Sequence, residues 1–505
     1  MFFLNNKKKL EEITLKFLND DLSIVELKSV ADELYDLLCD SIEFDEINLD
    51  NRNSIFTERG RAISPFEAAH CIKEFMRTKA FIKGIHFAIR DLKKEIKNEP
   101  IRILYAGTGP FATLMLPMTS LYSKDEIQFT LIEINNQSVN CLEKVINHFG
   151  INDYIDEVIL TDATSYSLVD SGRHHILLTE TMQQALRNEP QVSIALNLLP
   201  QIRKDGIMIP ENIIINLGLI DSKEDFKRKM GELVSEYYIE LGNVLEFNKS
   251  KIDNILSEEK DIFSNRYFAC NSVEIPELIE PFHNQMNLMT RIEVYNGIFL
   301  NYNDCSLNLP WRIKKGLDDI ENVEKFKFKY RFENTPQLIW NKKIKNEFEL
   351  KSIDIKTEIE LFEIFKECRA DLSWVTGFSE IEKNQYLKTQ FELEKTQFVT
   401  FYPKAEYYMV IKDNKYIGRL YIDYGENDIR ILEIGLIEEY RNRGIGRSII
   451  KNIISKASEC NKFVSLQVAW FNQTALKLYE ELGFFVVENN QVSYEMRFDT
   501  SIIKV

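Results

Sequence analysis

The spacing of apolar residues divides the front of the chain into three stretches. Over residues 1–98 apolar positions recur every three or four residues, which predicts amphipathic helices and a helical N-terminal region. Over residues 99–210 short apolar runs alternate with helical patterns, which predicts a parallel sheet with helices on both faces. Residues 211–340 are rich in strand-like runs, and a charged insertion at residues 222–262 is predicted to be helical.

The pattern changes again beyond a junction near residue 340. Residues 358–398 have helical spacing, and the runs that follow read as antiparallel strands joined by a turn at Asp413 and Asn414. A further domain is therefore expected over residues 350–500. The fold class predicted for the whole chain is α/β multidomain: a helical N-terminal region, a parallel sheet with a β-rich extension, and a C-terminal α+β domain.

Composition restricts the classes of partner. A length of 505 residues suggests about three structural units at roughly 150 residues each. The formal net charge of −16 argues against nucleic acid or an anionic membrane as a partner, because phosphate binding needs clustered Lys and Arg. No apolar run approaches the roughly 18 residues of a membrane span, and the N-terminus does not have the order of a signal peptide. The seven cysteines and six histidines have no metal-ligand spacing, so we expect a cytoplasmic protein without a metal site.

A glycine-rich turn provides the clearest chemical signal. A predicted strand ending near Ile437 is followed by Arg441-x-x-Gly444-x-Gly446 and then by a predicted helix over residues 448–457. Such a turn directs backbone N–H groups and the positive end of the helix dipole at one point, which suits a pyrophosphate.

This segment, with the later frame from Asn472 through Tyr479 to Gly483, resembles the GNAT acyltransferases. The resemblance implies acetyl-CoA as a cofactor, with the backbone of Leu436 and Ile437 offered to the pantetheine arm. The residues that it assigns to the pyrophosphate and the second motif are Arg441, Arg443, Gly444, Ile445, Gly446, Arg447 and Asn472.

Two side chains of this segment are candidates for proton transfer. Tyr479 would protonate the departing CoA thiolate, because a phenol near pKa 10 can give its proton to a thiolate of similar basicity. Glu433, on the strand before the loop, would act as general base toward an amine acceptor through water.

A second set of signals lies at the ends of three consecutive predicted strands in the front half. Gly107 and Gly109 follow the first strand, Glu133 ends the next about 25 residues later, and Asp162 follows the third. A tight glycine turn and a carboxylate that can take ribose hydroxyls are features of nucleotide sites in parallel sheets.

Glu74-x-x-Arg77-Thr78 and the pair Glu180 and Glu189 make this half resemble the class I S-adenosylmethionine (SAM) methyltransferases of the protein arginine methyltransferase type. The resemblance implies SAM as a cofactor, with Arg77 on its carboxylate, Glu133 on its ribose and Asp162 near its adenine. The two glutamates would hold the methyl acceptor. The resemblance also implies that the parallel sheet is Rossmann-like and that the β-rich extension is barrel-like.

The match to this methyltransferase type is incomplete. Tyr105 stands at a usually acidic position, Phe111 replaces the third loop glycine, and the Thr-His-Trp element has no counterpart. A small amine or guanidino metabolite, or a natural-product intermediate, therefore fits better as acceptor than protein arginine. The resemblance also suggests a homodimer, with residues 222–262 as a candidate docking arm.

Taken together, the signals predict a bifunctional group-transfer enzyme, SAM-dependent methyltransferase and acetyl-CoA-dependent N-acetyltransferase, acting on a small-molecule acceptor. One alternative is a methyltransferase whose GNAT domain handles or decarboxylates an acyl thioester without acetylating. Another is a protein in which one domain only senses its ligand.

Overall fold

The chain divides into two compact units, residues 1–344 and residues 345–505, here called the N-terminal and C-terminal units. The computed structural model describes residues 2–234, 236–258, 262–276, 282–315, 323–344, 348–355, 360–369 and 379–500. The predicted helical stretch 358–398 therefore lies partly outside the described residues.

Helices dominate the first hundred residues, as the apolar spacing predicts. Ser23 and Glu26 form a capping box that fixes the start of the second helix. The helices of the N-terminal unit are α1 (Phe2–Leu18), α2 (Ile24–Ile42), α3 (Pro65–His70), α4 (Phe75–Glu95), α5 (Leu116–Leu121), α6 (Asn136–Phe149), α7 (Gln191–Leu198), α8 (Ser222–Lys229), α9 (Lys249–Glu258) and α10 (Ile262–Asn265).

The described strands of the N-terminal unit form four sheets. They are β1 (Ile55–Thr57), β2 (Gly60–Ala62), β3 (Ile101–Ala106), β4 (Ile127–Glu133), β5 (Ile155–Leu160), β6 (Ile176–Thr179), β7 (Ile207–Ile209), β8 (Asn212–Asp221), β9 (Tyr238–Asn248), β10 (Tyr267–Glu274), β11 (His283–Tyr295), β12 (Ile298–Leu300), β13 (Trp311–Lys315), β14 (Val323–Arg331) and β15 (Gln337–Ile344).

The parallel sheet has the order β5-β4-β3-β6-β7, and every neighbouring pair in it is parallel. Its central strands are almost wholly buried, which explains their continuous apolar runs. The order changes direction at β3, between β4 and β6, where open α/β sheets form a crevice outside the carboxyl ends of their strands.

The expectation for residues 222–262 is wrong. The insertion 222–262 is not purely helical, because it contains β9, an eleven-residue strand that pairs antiparallel with β8. The extension over residues 211–340 is rich in strands, and β9 of one of its sheets lies alongside β10 of the other. Its described strands form a five-stranded sheet (β12-β11-β8-β9, with β13 on β11) and a three-stranded sheet (β10-β14-β15).

The described strands of the C-terminal unit form one seven-stranded sheet, and helices pack on both of its faces. Its order is β16-β17-β18-β19-β20-β22-β21, and β19 with β20 is its parallel pair. Its elements are β16 (Glu349–Ser352), α11 (Glu360–Cys368), α12 (Glu380–Phe401), β17 (Glu406–Lys412), β18 (Lys415–Tyr424), β19 (Asp428–Leu436), α13 (Ile445–Glu459), β20 (Phe463–Ala469), α14 (Gln473–Glu481), β21 (Phe485–Asn489) and β22 (Ser493–Phe498).

Local sequence explains two junctions of this unit. Asp413 and Asn414 have φ of 50° and 61° and join β17 to β18, as predicted for a tight hairpin turn. Ser379 and Glu382 form a capping box at the start of α12. Among the helices that the structure describes, none combines the length and apolar character needed to cross a membrane.

Candidate functional sites

A cavity opens at the carboxyl ends of β3 and β4 in the N-terminal unit. The interior of this cavity amounts to about 120 Å³, and the cavity opens to solvent at its mouth. The cavity is lined by all the residues predicted to bind SAM and the methyl acceptor: Arg77, Gly107, Gly109, Glu133, Asp162, Glu180 and Glu189.

Glu133 is held at the end of β4 by backbone donors. Its carboxylate accepts N–H bonds from Gly109 at 2.8 Å, Ile134 at 2.9 Å and Asn135 at 2.8 Å. Burial raises the pKa of Glu133, and these three bonds oppose the rise. The Thr108 hydroxyl is a fourth donor to this carboxylate, at 3.5 Å. A carboxylate has about four acceptor positions, so a ligand hydroxyl would bind Glu133 by replacing this long bond.

The Arg77 guanidinium already pairs with two carboxylates of the protein. It donates to Glu74 at 2.9 Å and forms a close ion pair with Glu180. The side chains of Arg77 and Glu180 are only 11% and 8% exposed. Glu180 keeps one oxygen, Oε1, buried without a hydrogen-bond partner among the described residues. Binding of an anion to Arg77 would therefore require sharing with or displacing Glu180.

Burial also controls the second glutamate of the pair. Glu189 is 6% exposed, and burial, reinforced by the nearby charge of Glu180, raises its pKa to about 7. Burial raises the pKa of Glu180 as well, but its ion pair with Arg77 opposes that rise. The two carboxyls thus differ in environment, one ion-paired and one able to hold a proton near neutral pH.

The glycine turn has a packing reason that the sequence did not reveal. Gly107 has φ of 79°, and a Cβ there would lie 2.3 Å from Thr181 Cγ2. Gly109 has φ of 61° and would meet Ala68 Cβ at 3.2 Å. Asp162 lies at the cavity wall, where its Oδ1 accepts the backbone N–H of Thr164 at 2.9 Å.

Sequence reasoning missed the β1–β2 hairpin, which adds Thr57 and Arg61 to the cavity wall. Arg61 pairs with Glu67 at 2.5 Å. The signal available was Gly60, whose φ of 138° closes this two-stranded turn.

A second opening lies between β19 and β20 in the C-terminal unit. The β19 strand pairs with β20 over Asp428–Ile431, whereas its pairing with β18 continues to Leu436. Residues 432–436 of β19 therefore have a free edge on the β20 side in the described part of the sheet. Such an edge offers backbone groups to an extended ligand.

The N-terminus of α13 follows this opening. Gly444, with φ of 84°, is its N-cap, and no side chain caps the helix in the described structure. A Cβ at Gly446 would meet its nearest neighbour, Leu436 Cδ1, only at 3.9 Å. The N–H groups of Ile445, Gly446 and Arg447 are thus arranged at an uncapped, open helix terminus, where the partial positive charge attracts anions.

The three arginines of this loop are held differently. Arg441 donates from Nε to the carbonyl of Leu436 at 2.8 Å and from Nη2 to that of Glu367 at 2.9 Å, so it connects the loop to β19 and α11. Arg443 lies 5.4 Å from the centroid of the Tyr440 ring. Arg447 forms an ion pair with Glu481, and both side chains are more than a third exposed.

Three residues predicted to contact acetyl-CoA use groups that already have partners. The carbonyl of Leu436 accepts from Arg441, and the N–H of Ile437 donates to Ile417 at 2.9 Å. Asn472 caps α14 by accepting the N–H of Ala475 at 3.2 Å.

Tyr479 is buried on α14, 6% exposed, with its ring 5.7 Å from that of Phe484. Burial raises the pKa of its phenol, and the negative charge of Glu433 adds to the rise. The phenol is therefore protonated at neutral pH, as a proton donor must be.

Glu433 belongs to a cluster that the sequence did not indicate. Arg419 on β18 has no exposed surface and donates to Glu433 at 3.0 Å and to Glu394 of α12 at 2.6 Å. The helix α12 carries many charged residues, so nothing in its spacing distinguishes Glu394. In the described chain, no group of three or more His, Cys, Asp or Glu residues is arranged to hold a metal ion.

Comparison with known proteins identifies part of the chain. Residues 361–484 match the family model of acetyltransferase (GNAT) family proteins. The C-terminal unit thus contains a GNAT acetyltransferase domain, as the sequence predicts. No curated protein matches the chain.

Several solved structures are each similar to about 30% of this chain. The PaiA N-acetyltransferase of Thermoplasma acidophilum in complex with coenzyme A is 17% identical over 30% of this chain and 98% of its own, with a TM-score of 0.26. A GNAT family acetyltransferase of Elizabethkingia anophelis with acetyl-CoA bound is 16% identical over 31% of this chain and 99% of its own, with a TM-score of 0.21. The ribosomal-protein-S18-alanine N-acetyltransferase of Escherichia coli is 14% identical over 30% and 94%, with a TM-score of 0.23.

Proposed function

We propose that this chain, whose C-terminal unit contains a GNAT acetyltransferase domain, transfers an acetyl group from acetyl-CoA to an amine of a small molecule. The observation that carries the proposal is the family match over residues 361–484. The open edge of β19 beside the uncapped terminus of α13 supports it, because the two together suit an extended arm ending in a pyrophosphate.

Different residues of the chain bind the cofactor and transfer the protons. The N–H groups of Ile445, Gly446 and Arg447 hold the pyrophosphate, and the edge of β19 aligns the pantetheine arm. Acetyl-CoA supplies the activated acyl group. Glu433 faces the acceptor amine as base, and Tyr479 gives its proton to the leaving thiolate.

Calorimetry with CoA tests the binding step, and substitution tests the chemistry. We expect Tyr479→Phe to bind CoA as the wild type does and to lose about 100-fold in kcat, since it removes one proton donor. Wild-type protein that does not bind CoA would exclude this function.

We propose methyl transfer from SAM as a second activity of the same chain, in the N-terminal unit. The supporting observation is the cavity at the carboxyl ends of β3 and β4, which all seven assigned residues line. The bond from Thr108 to Glu133 is long enough for a ribose hydroxyl to replace it, Asp162 would contact the adenine from the cavity wall, and the orphaned oxygen of Glu180 can accept from a bound group.

These residues fit SAM, which would supply the electrophilic methyl group when bound. Arg77 would pair with its carboxylate after releasing Glu180, so the released Glu180 and the neighbouring Glu189 become available to orient an amine or guanidino acceptor. Such a transfer depends mainly on positioning.

Calorimetry with SAM tests this second activity independently of the first. Arg77→Leu and Glu133→Gln should each weaken SAM binding at least tenfold and leave CoA binding unchanged, whereas absence of SAM binding to wild-type protein would refute it. Cell extract incubated with both donors should yield compounds gaining 14 and 42 mass units, on one molecule if the two activities share an acceptor.

Two alternatives have different outcomes in the same experiments. A GNAT domain that handles an acyl thioester without acetylating would bind CoA and yield no 42-unit addition. A ligand-sensing domain would bind its cofactor without any turnover. The expected homodimer would be seen by sedimentation of the full chain.

A further inference from the structure

The ion pair between Arg77 and Glu180 joins two distant parts of the chain inside the N-terminal cavity. Arg77 belongs to α4, Glu180 directly follows β6, and both side chains line the cavity. The guanidinium donates from Nη2 to Glu180 Oε2. A carboxylate of the protein is therefore bound to the guanidinium that the proposed methyl transfer assigns to the carboxylate of SAM.

This pair satisfies only half of the Glu180 carboxylate. Its Oε1 atom is buried, and no described residue forms a hydrogen bond to it. A buried acceptor without a donor is unfavourable. Because the side chain is only 8% exposed and lines the cavity, the missing donor can come from a bound molecule.

Glu74, the second carboxylate on Arg77, is held more firmly than Glu180. It accepts from Arg77 at 2.9 Å, from the backbone N–H of Ser306 at 2.8 Å and from the Ser306 hydroxyl at 2.9 Å. Among the described residues, Glu180 accepts from Arg77 alone. A ligand carboxylate would therefore replace Glu180 on Arg77 and leave Glu74 in place.

The described cavity wall has one other basic side chain, Arg61, and it already has a carboxylate partner. Its Nη2 donates to both oxygens of Glu67, at 2.5 and 2.6 Å. Glu67 is itself fixed by a capping box with Ser64 at the start of α3. A Glu180 released from Arg77 would therefore find its cation in a bound molecule.

We propose that Glu180 occupies the place of the cofactor's carboxylate on Arg77, so that the cation of the methyl acceptor binds only after a ligand carboxylate has replaced Glu180. This inference rests on the proposed methyl transfer and adds a compulsory order to it, cofactor first and acceptor second. The ion pair is an autoinhibitory contact, because one bond closes both the carboxylate site and the cation site.

The exchange keeps every buried charge paired. Removal of one partner from a buried ion pair is strongly destabilising, since it leaves an uncompensated charge. A ligand carboxylate keeps Arg77 paired, and a cationic acceptor then pairs with the released Glu180. Each ligand removes a cost that the other would meet alone, so the two should bind with positive coupling.

The first test compares two adenosine ligands on the full chain. S-adenosylhomocysteine has an amino acid part with a carboxylate, whereas 5′-methylthioadenosine has the same adenosine and thioether without that part. Butylguanidinium chloride is titrated with each of them, and its methyl group is observed by NMR. We expect saturable binding with S-adenosylhomocysteine and about tenfold weaker binding with 5′-methylthioadenosine or with the chain alone.

A variant distinguishes this role of Glu180 from a structural one. Glu180→Gln removes the charge that competes for Arg77, so in calorimetry it should bind S-adenosylhomocysteine about fivefold more tightly than the wild type and 5′-methylthioadenosine equally well. With S-adenosylhomocysteine present, it should bind butylguanidinium about fivefold more weakly. A purely structural role would weaken both adenosine ligands. Glu143→Gln, at an exposed position of α6, is the control and should match the wild type throughout.

Three results would overturn the inference. Butylguanidinium could bind equally well with and without S-adenosylhomocysteine, or it could fail to bind the loaded chain, as it would if Glu180 paired with the ligand's own ammonium group. Glu180→Gln could also bind S-adenosylhomocysteine no more tightly than the wild type. If this variant does not fold, the comparison of the two adenosine ligands on the wild type still decides. If neither the wild type nor Glu180→Gln binds S-adenosylhomocysteine, the proposed methyl transfer fails instead.

Discussion

At the scale of single residues, burial and pairing decide what each acidic side chain can do. Glu180 and Glu189 line one cavity, but Glu180 is ion-paired with Arg77, whereas burial raises the pKa of Glu189 to about 7. Sequence spacing identified both glutamates and could not separate their roles, because it contains no information on burial.

The raised pKa of Glu189 makes stability depend on pH. The unfolded carboxyl titrates near 4.5 and the folded one near 7, so the fold disfavours the charged form. The contribution of Glu189 to the stability of the N-terminal unit should therefore be unchanged below about pH 4.5, become unfavourable as the pH rises toward 7, and stay constant above. A pKa difference of one between the folded and unfolded chain corresponds to about 1.4 kcal/mol, which gives a loss of about 3 kcal/mol.

Glu189→Gln should remove this dependence. We expect its unfolding free energy in urea to exceed that of the wild type by about 2–3 kcal/mol at pH 8 and to match it near pH 4. Glu143→Gln, at an exposed position of α6, is the control and should show neither effect. A difference between Glu189→Gln and the wild type that stays constant with pH would contradict the assignment.

Gly107→Ala should destabilise the N-terminal unit by about 2–4 kcal/mol. The new Cβ would lie 2.3 Å from Thr181 Cγ2, and the alanine would have to keep a φ of 79°. Gly150→Ala shares the positive φ, 63°, but has nothing within 4 Å of the new Cβ, and should cost only about 1 kcal/mol. Equal losses in urea unfolding would show that the contact with Thr181 is unimportant.

At the scale of elements, a helix terminus and a strand edge cooperate to make one site. The α13 helix begins at Gly444 without a side-chain cap, next to the part of β19 that has lost its partner. The glycine pattern predicted the helix start to within three residues. The unpaired edge could not be predicted, since it depends on where β20 diverges from β19.

Gly446→Asp should separate folding from cofactor binding. A carboxylate in the first turn interacts favourably with the helix dipole, and the nearest atom to the new Cβ is 3.9 Å away, so the melting temperature should not fall. Negative charge at the anion site should weaken CoA binding at least 100-fold in calorimetry. Gly446→Ala adds the same Cβ without charge and should lose far less, and equal losses would indicate a steric cause.

The β9 strand shows where reading by segment fails. Its sequence, residues 238–248, lies in a charged stretch that reads as helical, and it becomes a strand by pairing with β8. Pairing with a distant strand overrides local preference.

At the scale of the whole molecule, the sequence predicted the alternation of strands and helices in the parallel sheet and the GNAT character of residues 361–484. Both follow from local patterns and short motifs. It did not predict the two separate sheets of the extension or the partnership of Glu394 with Arg419, because each joins residues from elements whose relation no local pattern encodes.

Two compact units predict two independent responses to ligands. In calorimetric unfolding of the full chain, CoA at 100 times its dissociation constant should stabilise only the C-terminal unit, by about 2.7 kcal/mol, and SAM only the N-terminal unit. Gly446→Asp should abolish the first response and Arg77→Leu the second. A shift of both transitions by one ligand would indicate that the units unfold together.

The free edge of β19 also has a consequence for measurement. Backbone amides that no neighbouring strand engages exchange their protons with solvent faster than those inside a ladder. Some backbone amides of residues 432–436 should therefore take up deuterium quickly. Their uptake would slow when a pantetheine arm fills the opening. Occupancy could be followed at this one strand by mass spectrometry, without a label and without knowing the acceptor.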